Sequence, residues 1–253
     1  MTPQESQPQK VIETFLPELS KLRRAKQKTQ LKVYSGPLGR IGATPRSRYR
    51  LVAISALLTL LALMLAASLS IGLTALVSSV AALLIALGWP AATGVAELRG
   101  RRRITSHSLT ILAVGLASVL SAWLQAHRSP LELLPAIASV GVVAAFMVEL
   151  ARGEGALGRL ESVISTVSGV MAAVSLAGWV GLAALAQEAE SNLPVIAIGT
   201  ILGVALALMG TRLIYAGPRE GPRRGALTLG VTPVAFIGVV SYVSATFLTR
   251  VIG

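Results

Sequence analysis

The 46 residues from Leu51 to Ala96 include no Asp, Glu, Lys, Arg or His. A bilayer core about 30 Å thick is crossed by roughly 20 apolar helical residues. The run is therefore long enough for two crossings joined by a tight turn, and it predicts a helical hairpin. Composition agrees, because 53% of the residues are hydrophobic and 13% are charged, whereas soluble domains average about 25% charged residues.

Charged residues divide the remainder of the chain into further apolar segments, and together they predict about seven spans. The predicted spans are 51–69, 73–93, 106–125, 133–150, 162–186, 193–215 and 226–248. The predicted fold class is all-α, a polytopic transmembrane helical bundle over residues 51–253 that follows a basic tail, residues 1–50.

Cationic residues predict how this bundle is oriented, because cytoplasmic segments carry the excess of Lys and Arg. With the N-terminus inside, 21 of the 23 Lys and Arg residues lie in cytoplasmic segments. Only Arg128 and Arg250 fall outside. The sequence thus predicts a membrane protein with a cytoplasmic N-terminus and an external C-terminus.

The tail has eleven basic and three acidic residues, a net charge of +8. Apolar residues recur at spacings of three and four from Lys10 to Gln30, which predicts an amphipathic helix, and a Gly- and Pro-rich linker follows at 35–45. This helix either lies on anionic lipid headgroups or packs on the protein's own cytoplasmic face. A protein partner is the alternative to lipid, and nucleic acid is not expected. The basic residues at the end of this helix are Lys21, Arg23, Arg24, Lys26 and Lys28.

Several chemistries are excluded by what the chain lacks. It has no Cys and no Asp, which excludes thiolate metal sites, Cys nucleophiles and Ser-His-Asp triads. Its two His residues, His107 and His127, fall at opposite ends of one predicted helix, so a two-His metal site within that helix is excluded. Gly153–Gly158 matches GxGxxG, but a membrane helix precedes it where a dinucleotide site needs a strand. We expect no catalytic residues, metal or cofactor.

Polar residues at the predicted inner boundary form the candidate site. Four charged residues frame the turn between the fourth and fifth spans: Glu149, Arg152, Arg159 and Glu161. Ser162 and Ser165 then begin a seam of small polar residues suited to close helix packing. Arg212 lies inside the sixth apolar run, where an ionisable residue is a functional candidate. These residues form either a structural charge cluster or a headgroup or substrate site.

Three short motifs resemble a group of multi-pass, permease-like membrane proteins from actinobacteria. They are Gly88-Trp-Pro90, Arg159-Leu-Glu-Ser162 and Ser165-Thr-Val-Ser-Gly169. The resemblance covers residues 50–250 and implies a plasma-membrane location, without an activity to carry over.

The sequence favours a non-enzymatic accessory or scaffold protein whose basic tail lies at the inner leaflet. The alternative is a small transporter or lipid-translocating permease component that uses the polar residues of the candidate site. A membrane enzyme of envelope lipid metabolism is the third hypothesis.

Overall fold

The computed structural model describes residues 45–93, 105–151, 159–188, 201, 205 and 223–252, and the regular elements in these ranges are all α-helices. The helices are α1 (Pro45–Leu69), α2 (Ile71–Ala92), α3 (Ser106–Leu124), α4 (Leu134–Leu150), α5 (Arg159–Val174), α6 (Ala177–Glu188) and α7 (Arg223–Ile252). The predicted tail helix at 10–30, the linker up to residue 44, the GxGxxG turn and nearly all of the sixth span lie outside the described residues.

Five helical segments in the described ranges are long and apolar enough to cross a membrane. They are Arg48–Leu69, Ile71–Ala92, Ser106–Leu124, Arg159–Glu188 and Arg223–Leu248. The shorter apolar helix Leu134–Leu150 adds a further candidate. An all-helical integral membrane protein accounts for these segments.

The charge-free run folds as two helices, as predicted for it. α1 ends at Leu69, and the extended residue Ser70 caps α2, where its hydroxyl accepts a hydrogen bond from the Leu73 amide at 3.1 Å. A Ser in this role satisfies an amide that the first helical turn leaves without a backbone partner. The connection between the two helices is therefore a single residue.

Contacts between the helices define two ends of the bundle. At the end that we call the arginine end, α1, α3, α5 and α7 begin, and α2 and α4 finish. Three hydrogen bonds between helices align this end: Ser55 to the Leu227 carbonyl at 3.1 Å, Thr228 to the Leu84 carbonyl at 2.9 Å and the Trp89 indole to the Ser165 carbonyl at 2.6 Å. The described side chains of Arg48, Arg50, Arg159, Arg223 and Arg224 belong to helix starts at this end.

The opposite end, which we call the loop end, contains the connection between α3 and α4. His127 of this connection lies 3.5 Å from Glu188 at the end of α6. A Cβ built on Gly181 of α6 would lie 3.4 Å from Pro130. α6 thus ends at the loop end, whereas α7 begins at the arginine end.

α5 and α6 form the centre of the bundle. Residues 172–184 are all buried, which matches a helix enclosed by other helices. The predicted single span 162–186 is interrupted at Ser175 and Leu176, where the Leu176, Gly178 and Trp179 amides bond three residues back instead of four. This tighter 3₁₀-type bonding marks a local break in the central helix.

Glycine allows α6 and α7 to cross closely just beyond the break. A Cβ on Gly178 would collide with the main chain of α7 at Val239, and one on Gly238 would collide with the Trp179 ring. The buried Trp179 indole N–H donates to the Val234 carbonyl at 2.8 Å. Small residues at such crossings allow the van der Waals packing that associates helices in lipid.

Candidate functional site

The first component of the candidate site is His107, the second residue of α3. Thr105 caps this helix, and its hydroxyl accepts from the Ser108 amide at 3.2 Å. The cap fixes the first turn of α3 and therefore the direction of the imidazole. His107 is only 2% exposed.

The second component is Glu149, next to the last residue of α4. The buried residues of α4 form one narrow stripe: Leu134, Gly141, Ala145 and Glu149. Gly141 permits the close approach, because a Cβ there would lie 2.7 Å from Val170 of α5 and 3.0 Å from Val114 of α3. Glu149 is thereby brought to the junction with α3 and α5 and is 4% exposed.

α5 completes the cluster with two buried hydroxyls. His107 Nε2 lies 2.9 Å from Glu149 Oε1 and 3.3 Å from Ser162 Oγ. On the other side of the ring, His107 Nδ1 hydrogen-bonds Thr166 Oγ1. A carboxylate, an imidazole and two hydroxyls from three helices thus meet in the protein interior, where polar groups left unbonded would be costly.

The hydrogen-bond partners of His107 show which ring nitrogens carry protons. Thr166 uses its single hydroxyl proton to donate to the Ser162 carbonyl at 2.8 Å. Thr166 Oγ1 is therefore the acceptor for His107, and Nδ1 carries a proton. The 2.9 Å contact between His107 Nε2 and Glu149 Oε1 then contains one further proton, because two lone pairs facing each other would repel.

This geometry does not place Ser162 as the nucleophile of a Ser-His-acid relay. In a relay, one ring nitrogen faces the nucleophile and the other faces the acid. Here Nε2 faces both Glu149 and Ser162, and Nδ1 is bound to Thr166. The arrangement therefore supports binding of a proton or of a polar group rather than activation of Ser162 as a nucleophile.

Arg159 adds a positive charge beside this cluster. Its Nη2 donates to the main-chain carbonyl of Glu149 at 3.4 Å, a long hydrogen bond to the last turn of α4. Cations favour the negative end of a helix, so Arg159 also supports the position of α4. Glu161, by contrast, is exposed in the first turn of α5.

Ser165 belongs to a neighbouring packing contact. Its hydroxyl pairs with Thr93 at 2.7 Å, and its carbonyl accepts from Trp89. One turn further, a Cβ on Gly169 would lie 2.7 Å from the Trp89 ring. The second half of the predicted seam thus packs α5 against α2.

The fold brings three of the predicted site residues together, namely Glu149, Arg159 and Ser162. Ser165 lies one turn away, Glu161 faces outward, and Arg152 and Arg212 lie outside the described residues. The candidate site predicted from the sequence does not include His107, and it has Thr166 only as a member of the polar seam in the fifth span. One signal for His107 was present, because the start of the third span and the end of the fourth were predicted on the same membrane side.

The comparisons with known proteins supply no relative for this site. No protein-family model matches the chain, and neither a curated protein nor a solved structure matches it. The resemblance to permease-like proteins therefore stays a prediction.

Proposed function

We propose that the protein is a small transporter or lipid-translocating component that binds a polar substrate at the His107, Glu149 and Ser162 cluster. The observation that carries this proposal is the 2.9 Å contact between two ionisable side chains that are both almost fully buried. Ionisable residues inside membrane-spanning bundles are rare and mark substrate or ion pathways.

The position of the cluster also supports a role in translocation. It joins α3, α4 and α5 at one end of the bundle, and α5 leads from it directly into the buried central helix. The break at Ser175 and Leu176 interrupts that central helix. Interrupted helices are a recurring element of transporter substrate sites.

Reconstituted vesicles test the proposal with a fluorescent phosphatidylglycerol as the probe. We expect the native protein to accelerate movement of the probe between leaflets and Glu149→Gln to abolish most of that acceleration. Glu188→Gln is the matched control, because it alters the exposed His127–Glu188 pair and should retain native activity. A native protein without effect on the probe, or a Glu149→Gln variant equal to native, would contradict the proposal.

The finer topology is part of the same proposal. Glu188 ends α6 at the loop end, and Arg223 begins α7 at the arginine end. A chain that joins opposite ends of a bundle has to traverse its length, which favours a crossing between these residues and a total of seven. The positive charge of the arginine end favours a cytoplasmic N-terminus in the plasma membrane and an external C-terminus.

A second candidate function, an accessory or scaffold role, is favoured by the +8 charge of residues 1–50. Each Lys or Arg near an anionic leaflet contributes about 1 kcal/mol of attraction. In this role the tail binds anionic headgroups or a protein partner through the basic cluster at residues 21–28. Co-purification tests it: a partner retained by the full chain and lost after neutralising these residues supports the role, and an unchanged result rejects it.

A further inference from the structure

We propose that His107, Arg159 and Ser162 form a binding site for an oxyanion, and that the Glu149 carboxylate occupies this site as an internal plug. The ligand class is a phosphate or carboxylate group that displaces Glu149. This inference deepens the proposed function, because it names the chemistry that the same site would recognise.

The hydrogen-bond donors and the positive charge near the Glu149 carboxylate are the first evidence for an oxyanion site. Around the carboxylate are an imidazole nitrogen at 2.9 Å, the nearby Ser162 hydroxyl and the Arg159 guanidinium on the adjoining carbonyl. Of these four described residues, Glu149 carries the negative charge. His107 and Ser162 supply hydrogen-bond donors, and Arg159 carries a positive charge. Charge-assisted donors of this kind bind phosphate and carboxylate alike.

The helix backbone near this site also favours the binding of an anion. His107 lies in the first turn of α3, and Ser162 is the fourth residue of α5. The N-terminal turn of a helix carries partial positive charge and favours anions. Two helix starts therefore lie beside the His107–Glu149 pair, together with the Ser162 hydroxyl that contacts His107 and the Arg159 guanidinium that contacts the Glu149 main chain.

The attachment of α4 makes displacement feasible. Among the described helices, α4 packs substantially against α3 and α5 alone. Its seam consists of small or apolar residues up to Ala145, and Glu149 is the one charged residue of the helix. Separation of this last turn would therefore disturb the packing of α4 against α3 and α5 alone among the described helices.

Binding of phosphatidylglycerol to the full-length protein tests the plug. The measurement is the apparent Kd for phosphatidylglycerol, from native mass spectrometry in a neutral detergent. Glu149→Gln removes the plug's charge but preserves its shape, and we expect it to tighten binding by about tenfold, which corresponds to about 1.4 kcal/mol. The basic tail is present in every variant, so its contribution to lipid binding cancels.

Two second-site variants establish where the additional lipid binds. In the Glu149→Gln background, Ser162→Ala should remove most of the gain because it deletes a donor of the site without changing charge. Arg50→Gln should leave the gain intact, since Arg50 is an exposed cation at the same end of the bundle. An unchanged Kd in Glu149→Gln, or a gain that Ser162→Ala does not reduce, overturns the proposal.

Inorganic phosphate distinguishes the two sources of the ligand. In a neutral detergent without phosphate groups, a rise in the thermal midpoint of Glu149→Gln with inorganic phosphate indicates a free oxyanion, and a rise only with phosphatidylglycerol indicates a lipid headgroup. No rise with either ligand contradicts the oxyanion site. A gain in binding together with no translocation in vesicles would reject the proposed function while retaining the site.

Discussion

His107 Nε2 lies 2.9 Å from Glu149 Oε1, and both side chains are at most 5% exposed. The chain contains a second His–Glu pair, His127 and Glu188, at 3.5 Å with side chains 77% and 58% exposed. The two pairs lie at opposite ends of one bundle and differ mainly in burial. Exposed ion pairs contribute little to the free energy of unfolding, whereas a buried pair is costly to form and costly to break. Comparison of the two pairs therefore shows how burial changes the contribution of a His–Glu pair to stability.

Close crossing of α6 and α7 depends on the absence of a side chain at Gly178. Because a Cβ there would collide with the Val239 backbone, we expect Gly178→Ala to force the helices apart and to cost about 1–3 kcal/mol of unfolding free energy. Gly72→Ala is the matched control, since its nearest neighbour would be Trp123 at 3.9 Å. It should remain within about 1 kcal/mol of native. Unfolding in mixed detergent micelles measures both, and equal stabilities would refute the crossing.

The Trp179 indole has a specific role beyond filling the core. Trp179→Phe deletes the N–H that donates to the Val234 carbonyl at 2.8 Å. We expect a loss of about 1–3 kcal/mol, the range for disrupting a buried hydrogen bond. Trp123 is 46% exposed, and Trp123→Phe should leave the thermal midpoint nearly unchanged. If the two variants have the same thermal midpoint, the hydrogen bond does not stabilise the crossing of α6 and α7.

The absence of native cysteine allows the membrane sides to be assigned with single substitutions. Arg128→Cys lies at the loop end and Ala151→Cys at the arginine end, and both positions are exposed. We expect an impermeant maleimide to label Arg128→Cys in intact cells and Ala151→Cys only after lysis. The reverse pattern would invert the topology, and labelling of both in intact cells would contradict a membrane between them.

Much of the fold follows from the pattern of charges. The division of the charge-free run at residues 69–73 is confirmed, because Leu69 ends α1 and Ile71 begins α2. The length of the run predicts this division, because the run has 46 residues and about 20 apolar helical residues cross a bilayer core. The break at Ser175 was not predicted, because it lies in an apolar stretch where backbone bonding changes and hydropathy does not.

The candidate site was predicted only in part, for a different physical reason. The sequence places Glu149 among four charged residues that frame one turn, because local spacing along the chain is the guide that a sequence offers. In the structure it pairs with His107 on another helix. That contact depends on how α3 and α4 pack, which is a property of the tertiary structure. Predicted topology placed both residues at one membrane side but gave no measure of their burial.

A double-mutant cycle on His107 and Glu149 tests the central claim, that these residues are energetically coupled inside the bundle. The unfolding free energies of native protein, His107→Ala, Glu149→Ala and the double variant give the coupling directly. We predict a coupling of about 1.5 kcal/mol or more, with the parallel cycle on His127 and Glu188 below about 0.5 kcal/mol. Equal, small couplings in both cycles would contradict the account of the site.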